Sequence, residues 1–454
     1  MSDRALAQLR ADLADIPQIS SDLIPAKSRD FYWFSPILKS ELSDKVADLV
    51  VVPQTREQLE KVASACARWR IPLTLRGGGT GNYGQAVPLH GGVVLDMTGF
   101  NKIISSSPGV GRFEAGCRLL DIDKALKPMG WEMRFFPSTR RFATIGGYIA
   151  GGAGGIGSCT WGQLADPGAV IAVELLTVEE TPRTIQLRDR DALKVLHAYG
   201  INGIITEVEM PLAPRQPWAE GIVTFPDFAK AVQFAHQFTA AEGIAKKLVS
   251  IHEPAIAPYL GKLASHIPAG TAMAILMVSE PQMPMTAMMA SDFGGELVFE
   301  RSAVEAERAA FEGHAGLPPL YEFTWNHTTW RAVRTDQALT YLQLRFPAGE
   351  EERLIAELQR NFAGEMMLHL EFQRRNGRVF VSGLPLVRFS TPDRLGALMH
   401  EIEALGIQIS NPHTFQLDGA GWKRTDAPQA EFKQIADPLG LLNPGKLKAQ
   451  LSAA

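Results

Sequence analysis

The residues whose types and spacing most directly suggest chemistry are two glycine-rich segments. The first is Arg76-Gly77-Gly78-Gly79-Thr80-Gly81-Asn82-Tyr83-Gly84, and the second runs from Thr144 through Gly146, Gly147, Gly151, Gly152, Gly154, Gly155 and Gly157 to Ser158. Consecutive glycines after a strand let backbone N–H groups converge on an anion with no Cβ in the way. Thr80 and Asn82 add side-chain donors to the first segment, and Arg76 adds charge. Each segment holds a GxGxxG, at 79–84 and at 152–157. In a nicotinamide-binding Rossmann unit that motif opens a helix whose N-terminus holds a pyrophosphate. Here the first is followed by a turn with Pro88 and a strand, and the second by no evident helix former, so the Rossmann reading fails. Two anion-cradling loops in one region favour an extended dinucleotide lying across both.

These loops need a scaffold, and the chain is long enough for two or three domains, with 454 residues, 46% hydrophobic and 21% charged. A net charge of -4 argues against a nucleic-acid binder or a polybasic membrane-surface protein. Three cysteines (Cys66, Cys117, Cys159) without a CxxC make no disulfide framework and suit a reducing compartment. The N-terminal residues lack an apolar signal core, and the apolar run 271–278 is far short of the roughly 20 residues that span a bilayer. A soluble, cytoplasmic protein with no transmembrane segment is the expectation.

Residues 5–13 read as an amphipathic helix, and Phe31, Tyr32, Trp33 and Phe34 as an aromatic cluster packed on the main domain or serving as a docking face. Strand signals at 47–53, 71–76 and 91–97 flank a helix at 56–70 with Thr55 as N-cap, which predicts a buried sheet with a crossover helix. Further on, 118–130 and 189–200 read as helices and 169–178 and 205–214 as strands, with Pro211, Pro214 and Pro217 marking a boundary. Beyond it, 228–243 reads as a helix and 271–278 as a strand. Residues 367–373 and 377–383 read as a hairpin across Asn376–Gly377.

At this point the chain resembles the flavoproteins of the vanillyl-alcohol oxidase and para-cresol methylhydroxylase family. The resemblance is carried by VVVPQTREQLEKVASACARWRIPLTLRGGGTGNYG, GGVVLDMTGFNKI, PSTRRFATIGGYIAGGAGGIGS, GINGIITEVEMPL and DPLGLLNPGKL, in that order. It implies an α+β fold with a bipartite FAD-binding domain and a substrate-binding cap. The corresponding division is an N-terminal arm at 1–45, the FAD domain at 46–213, the cap at 214–424, and a segment at 425–454 returning to the FAD domain. Carried over by position, Gly77, Gly78, Gly79, Thr80, Gly81 and Asn82 lie at the pyrophosphate, with Arg76 beside them as the cofactor-binding charge read from the loop itself. Pro137, Ser138, Thr144, Gly146, Gly147 and Gly157 lie along the cofactor, Ile204 and Ile205 on its adenine–ribose side, and Asn443 approaches from the C-terminus. Thr80 stands where histidine-linked members carry their histidine, so the FAD is expected to be noncovalent, with His413 or Tyr341 as alternative tethers.

The activity that the resemblance implies is a dehydrogenase or oxidase passing a hydride from a small alcohol or 2-hydroxy acid to flavin N5. Oxygen or another carrier then serves as electron acceptor, and a homodimer is left open. A flavin-binding electron-transfer subunit without its own turnover is the alternative. The metal-binding motifs of the 2-hydroxyacid dehydrogenase branch are absent, and although His369, Glu371 and His413 could furnish three ligands, no metal is expected. Within the cap, Tyr321, Asn326 and His327 lie in a polar and aromatic stretch read either as a strand or as a pocket wall that orients a hydroxyl. His369 and Glu371, two apart on one strand face, could form an acid/base pair. Arg331, Arg334, Arg345, Arg374 and Arg375 are candidates to clamp a carboxylate.

Overall fold

In the computed structural model, which describes residues 3–152, 154–313, 316–419, 421 and 426–448, the described residues build four sheets, the smallest in residues being Leu339–Tyr341, Leu386–Arg388 and Met366–Met367. Ala153, the proposed boundary at 424/425 and residues 449–454 lie outside the described residues.

The first sheet is parallel, with Val93–Asp96 between Leu49–Val51 and Leu73–Arg76. Parallel neighbours need a crossover, supplied by the helix Arg56–Trp69, whose apolar stripe of Leu59, Val62, Ala63 and Cys66 is buried. Thr55 caps it by accepting the Gln58 N–H at 3.3 Å, as the sequence predicts. The helix Asp3–Asp12 lies against it, with Trp69 Nε1 donating to Asp12 at 2.8 Å. The C-terminal segment completes this sheet's edge: Leu73 N–H donates to Leu441 O and Asn443 N–H to Leu73 O, both at 2.8 Å.

The second sheet is antiparallel and is centred on the long strand Ile204–Pro214, which pairs with Val110–Glu114 on one side and Ala172–Leu176 on the other. The cap is an eight-stranded antiparallel sheet. Its helices Phe228–Ala240, Glu351–Asn361 and Pro392–Ala404 bury apolar faces in a core separate from the one beneath the glycine loops. His369–Arg375 and Arg378–Gly383 form the predicted hairpin, and Asn376 (φ 50) and Gly377 (φ 75) take the two left-handed positions that its tight turn requires.

Three local expectations are corrected. The second glycine segment contains a helix, Ile145–Gly151, and a short one, Ser158–Trp161, follows Gly157 directly. Packing overrides propensity here: Ile145 and Ile149 are fully buried, and a Cβ on Gly146 would come within 2.6 Å of the Ala115 Cβ. The stretch 189–200 is only a 3-10 helix, Asp189–Val195, ended by extended and left-handed residues that include His197 and Tyr199. Residues 321–330 are not a strand: a 3-10 turn, Leu320–Phe323, leads into the helix Asn326–Thr335.

Among the described residues, no helix is long and apolar enough to cross a membrane. The cluster at 31–34 packs inward, with Tyr32 3% and Phe34 4% exposed.

Candidate active site

The first glycine loop emerges from Leu73–Arg76 and leans on the second segment. Thr144 accepts the Gly147 N–H at 3.2 Å to cap its helix, and the same hydroxyl occupies the place of a Cβ on Gly77. A Cβ on Gly78 would run into the Phe142 carbonyl. Side chains are therefore forbidden where the two segments meet.

Beside them opens a cavity of about 700 Å³, large among ligand sites. Its walls come from three places. Gly77 to Asn82 and Pro137, Ser138, Thr144, Gly146 and Gly147 form one side. Leu193, Leu196, Gln429 and Asp426 close one end, where Gln429 Nε2 bonds the Leu196 carbonyl at 2.7 Å. The face of the cap sheet forms the rest.

That face follows from strand register. Gln373 and Arg375 share a side of one strand, and Gln373 pairs with Phe380. Ser382 lies two residues beyond Phe380 and is the cross-strand partner of Arg345, which in turn pairs with Gln408. All six line the cavity. The charged lining residues are Arg76, Arg345 and Arg375 against Asp426, a positive balance that suits a pyrophosphate or carboxylate. Burial pulls the Arg76 guanidinium down from its ordinary value while Asp96 and Asp30 oppose the shift. Of the other arginines, Arg331 lies 3.9 Å from the Phe323 ring centroid, Arg334 packs over Trp330, and Arg374 bonds the Thr239 carbonyl.

Two wall residues, Trp325 and Asn326, each hold a side-chain atom, Nε1 and Oδ1, that is closed off from solvent and has no hydrogen-bond partner among the described residues. Buried polar atoms are rarely left this way unless a ligand or water completes them. The glycine cradle with Arg76, Arg345 and Arg375 on the cavity wall fits a large anionic cofactor.

The remaining sequence candidates are placed as follows. Ile205 reaches the cavity, while Ile204, its strand neighbour, points into the core and is fully buried. Gly157 (φ 109) lies away from the cavity and donates its N–H to Lys247 O. Asn443 (φ 42) is fully buried and ties two loops together, donating to Gln85 O and Tyr199 O, both at 2.7 Å. Asn82 lines the cavity and donates to the Tyr341 hydroxyl at 2.7 Å. His413 bonds Ser35 Oγ and the Tyr341 carbonyl, and neither His413 nor Tyr341 is part of the cavity wall.

Asn326 is the one catalytic candidate on the wall. His327 is half-buried beside it, and desolvation, with Arg331 adding to it, drives it down to about 3. Tyr321 packs edge-on against Phe136 and borders a second, interdomain cavity of about 420 Å³. His369 and Glu371 lie 2.8 Å apart beneath the Trp325 segment. Burial pushes Glu371 up to about 8 and His369 down to about 3, so at neutral pH they form a hydrogen-bonded neutral pair rather than an ion pair. Among the described residues, no three His, Cys, Asp or Glu side chains gather as a metal site.

Sequence reasoning missed Gln163, Gln343, Gln373, Phe380 and Ser382 as wall residues. The alternation of 373/375 and 380/382 in the predicted hairpin was the available signal.

Residues 47–184 match the family model of the FAD binding domain. This segment is an FAD-binding domain. The chain is similar to the glycolate oxidase subunit GlcD of Escherichia coli K12, 32% identical over 203 residues, covering 43% of this chain and 40% of that protein. It is also similar to a probable mitochondrial D-2-hydroxyglutarate dehydrogenase of Oryza sativa subsp. indica, 26% identical over 180 residues, covering 38% and 32%. A D-lactate dehydrogenase of Anaerostipes hadrus is 28% identical over 178 residues, covering 37% and 36%. The matches thus span less than half the length of these relatives.

Over 98% of the chain the fold matches an alkyldihydroxyacetonephosphate synthase (TM-score 0.71, 17% identity, 85% of that chain covered). It also matches 4-ethylphenol oxidase from Gulosibacter chungangensis over 98% of this chain (TM-score 0.67, 14% identity, 97% of that chain). The α+β architecture of FAD-binding domain and cap expected from the resemblance is the one observed.

Proposed function

We propose that the chain is an FAD-dependent oxidoreductase acting on the CH–OH group of a small 2-hydroxy acid or alcohol. The supporting observation is one continuous cavity joining the glycine cradle of an FAD-binding domain to a cap wall that carries Arg345 and Arg375. The similarity to enzymes named for glycolate, D-2-hydroxyglutarate and D-lactate supports the substrate class.

Bound flavin supplies a hydride acceptor. Gly77 to Asn82 and the Pro137–Ser138 and Thr144–Gly147 stretches hold it, noncovalently in this reading. Arg345 and Arg375 bind the substrate carboxylate, and charge-assisted contacts of this kind fix orientation as well as affinity. Trp325 and Asn326 complete the cap side of the wall. Phe380 and Leu384 add apolar surface that excludes water.

A carrier subunit without turnover drew support from an exposed aromatic face at 31–34, and the burial of Tyr32 and Phe34 removes that support. The proposed location is cytoplasmic, in keeping with three free, buried cysteines. Purified protein loaded with FAD should bleach anaerobically with a 2-hydroxy acid or a small alcohol. Bound flavin that no hydroxy acid or alcohol bleaches would refute the oxidoreductase reading.

A further inference from the structure

Trp325, on the cavity wall, holds a strained backbone at φ 52 and ψ -143. L-residues with large side chains adopt this region only when their surroundings leave no alternative. Two contacts impose it. The backbone N–H of Trp325 donates to Glu371 Oε1 at 2.7 Å. The indole is closed in on the far side by Gly154, where a Cβ would come within 2.6 Å of ring atom Cη2.

Glu371 is itself fixed from several directions. The same Oε1 accepts from Ser250 Oγ at 2.9 Å and lies 2.8 Å from His369 Nε2. His369 stacks on His252 with ring centroids 4.2 Å apart, and His252 Nε2 meets Thr328 Oγ1 at 3.3 Å. Thr328 belongs to the helix Asn326–Thr335 that Trp325 precedes, and its hydroxyl donates to the Phe323 carbonyl at 2.8 Å. A closed set of contacts therefore runs from the two central cap strands to both sides of the Trp325 turn. Ser250, His252, Thr328, His369 and Glu371 are all buried and none of them lines the cavity, whereas the half-buried Trp325 does.

The strand geometry explains the division of labour. Glu371, Gln373 and Arg375 alternate onto one face, where Gln373 and Arg375 open to the cavity and Glu371 is roofed by the Trp325 backbone. We propose that Glu371 is a positioning residue: its carboxyl group holds the strained Trp325 turn and thereby sets the Trp325 and Asn326 residues on the wall of the cavity. This rests on the reading of the cavity as the FAD and substrate site. The structural claim that Glu371 holds Trp325 is independent of which substrate is used.

The test compares Glu371→Gln, Glu371→Ala, Trp325→Gly and the double variant Trp325→Gly with Glu371→Ala, all as full chains. Glutamine keeps an oxygen that accepts the Trp325 N–H, so E371Q should keep the visible circular dichroism of bound FAD and a KM within threefold of the unaltered protein. E371A should change that spectrum and raise KM at least tenfold, with kcat changed less. Glycine adopts φ 52 without being held, so in the W325G background E371A should add less than a twofold further change. Equal effects of Gln and Ala, or fully additive effects of W325G and E371A, would overturn the proposal.

A chain that shows no turnover still reports through the FAD spectrum. One that binds no FAD reports through the tryptophan-fluorescence difference between the protein and its Trp325→Phe variant. That difference should move in E371A and not in E371Q. The two failures are therefore distinguishable. A thermal melt of each variant identifies any that has simply unfolded.

Discussion

Gly77 and Thr144 meet with no space for a side chain between them: the threonine hydroxyl that caps one glycine segment stands where the Cβ of the other would be. The two segments are thus a single packed unit rather than two independent loops. Gly77→Ala must push the Thr144 hydroxyl aside, and losing such a cap costs about 1 kcal/mol. The larger effect is geometric, since the cradle is displaced toward the cavity. Purified G77A should keep its fold in a thermal melt yet carry less than a tenth of the flavin absorbance of the unaltered protein after gel filtration. Full flavin retention would show that the unit tolerates the displacement.

Asn443 performs a different task from the one its sequence position suggests. Its amide donates to both Gln85 O and Tyr199 O, joining the segment after the first glycine loop to the left-handed turn at 197–200. Asn443→Asp keeps the shape but offers oxygen where two carbonyls need donors. Leaving buried acceptors unmet costs roughly 1–3 kcal/mol each. N443D should lose about 2–5 kcal/mol of stability, measured by denaturant unfolding of the FAD-loaded protein, whereas a loss below about 1 kcal/mol would contradict this role.

The part of the site that was legible in the sequence is the part made from contiguous residues. Gly77 to Asn82 and Thr144 to Gly147 carry their purpose in a few adjacent positions, because a backbone cradle needs small residues side by side. The cap wall is different. Arg345, Gln373, Phe380, Ser382 and Gln408 become neighbours only through the register of four strands, and no local pattern encodes which strands pair. The helix Ile145–Gly151 was hidden for an energetic reason. Three of its seven residues are glycine, each disfavoured by about 1 kcal/mol relative to alanine, and its stability comes from the Thr144 cap and from burial against Ala115. The strained Trp325 turn has no sequence signature, since nothing in the type of residue foretells a left-handed tryptophan.

Arg345 and Arg375 share the cap wall, and the Arg345 guanidinium sits below its ordinary value, chiefly through burial and then through the charge of Arg375. A carboxylate between them relieves that repulsion. Arg375→Gln or Arg345→Gln should therefore raise KM for a 2-hydroxy acid tenfold or more, about 1.4 kcal/mol, while leaving the FAD absorbance intact. Steady-state kinetics with a hydroxy acid and with the corresponding neutral alcohol separate the cases. Only the acid should lose affinity, and an equal loss for both would remove the arginines from carboxylate recognition.

Glu371 also makes a prediction about pH that needs no substrate. Burial raises it to about 8 from an ordinary 4.5, so the native state prefers the neutral carboxyl. Its stabilising contribution is complete below pH 4.5 and is lost as pH rises toward about 8, because the unfolded chain releases this proton more readily than the native one. The groups packed around it do not obscure this window. His369 and His252 are depressed by burial, so their unfolded-state titration around 6.5 is common to the unaltered protein and a Glu371 variant and cancels in the comparison, and Cys159 is pushed up to about 11. Glu371→Gln cannot ionise and escapes the loss. The difference in melting temperature, variant minus unaltered protein, should thus shift in favour of the variant between pH 6.5 and pH 9, at fixed FAD concentration. A difference that stays flat over this range would mean that Glu371 is already ionised at pH 6.5 and that its hydrogen bonds from Trp325 and Ser250 outweigh its burial.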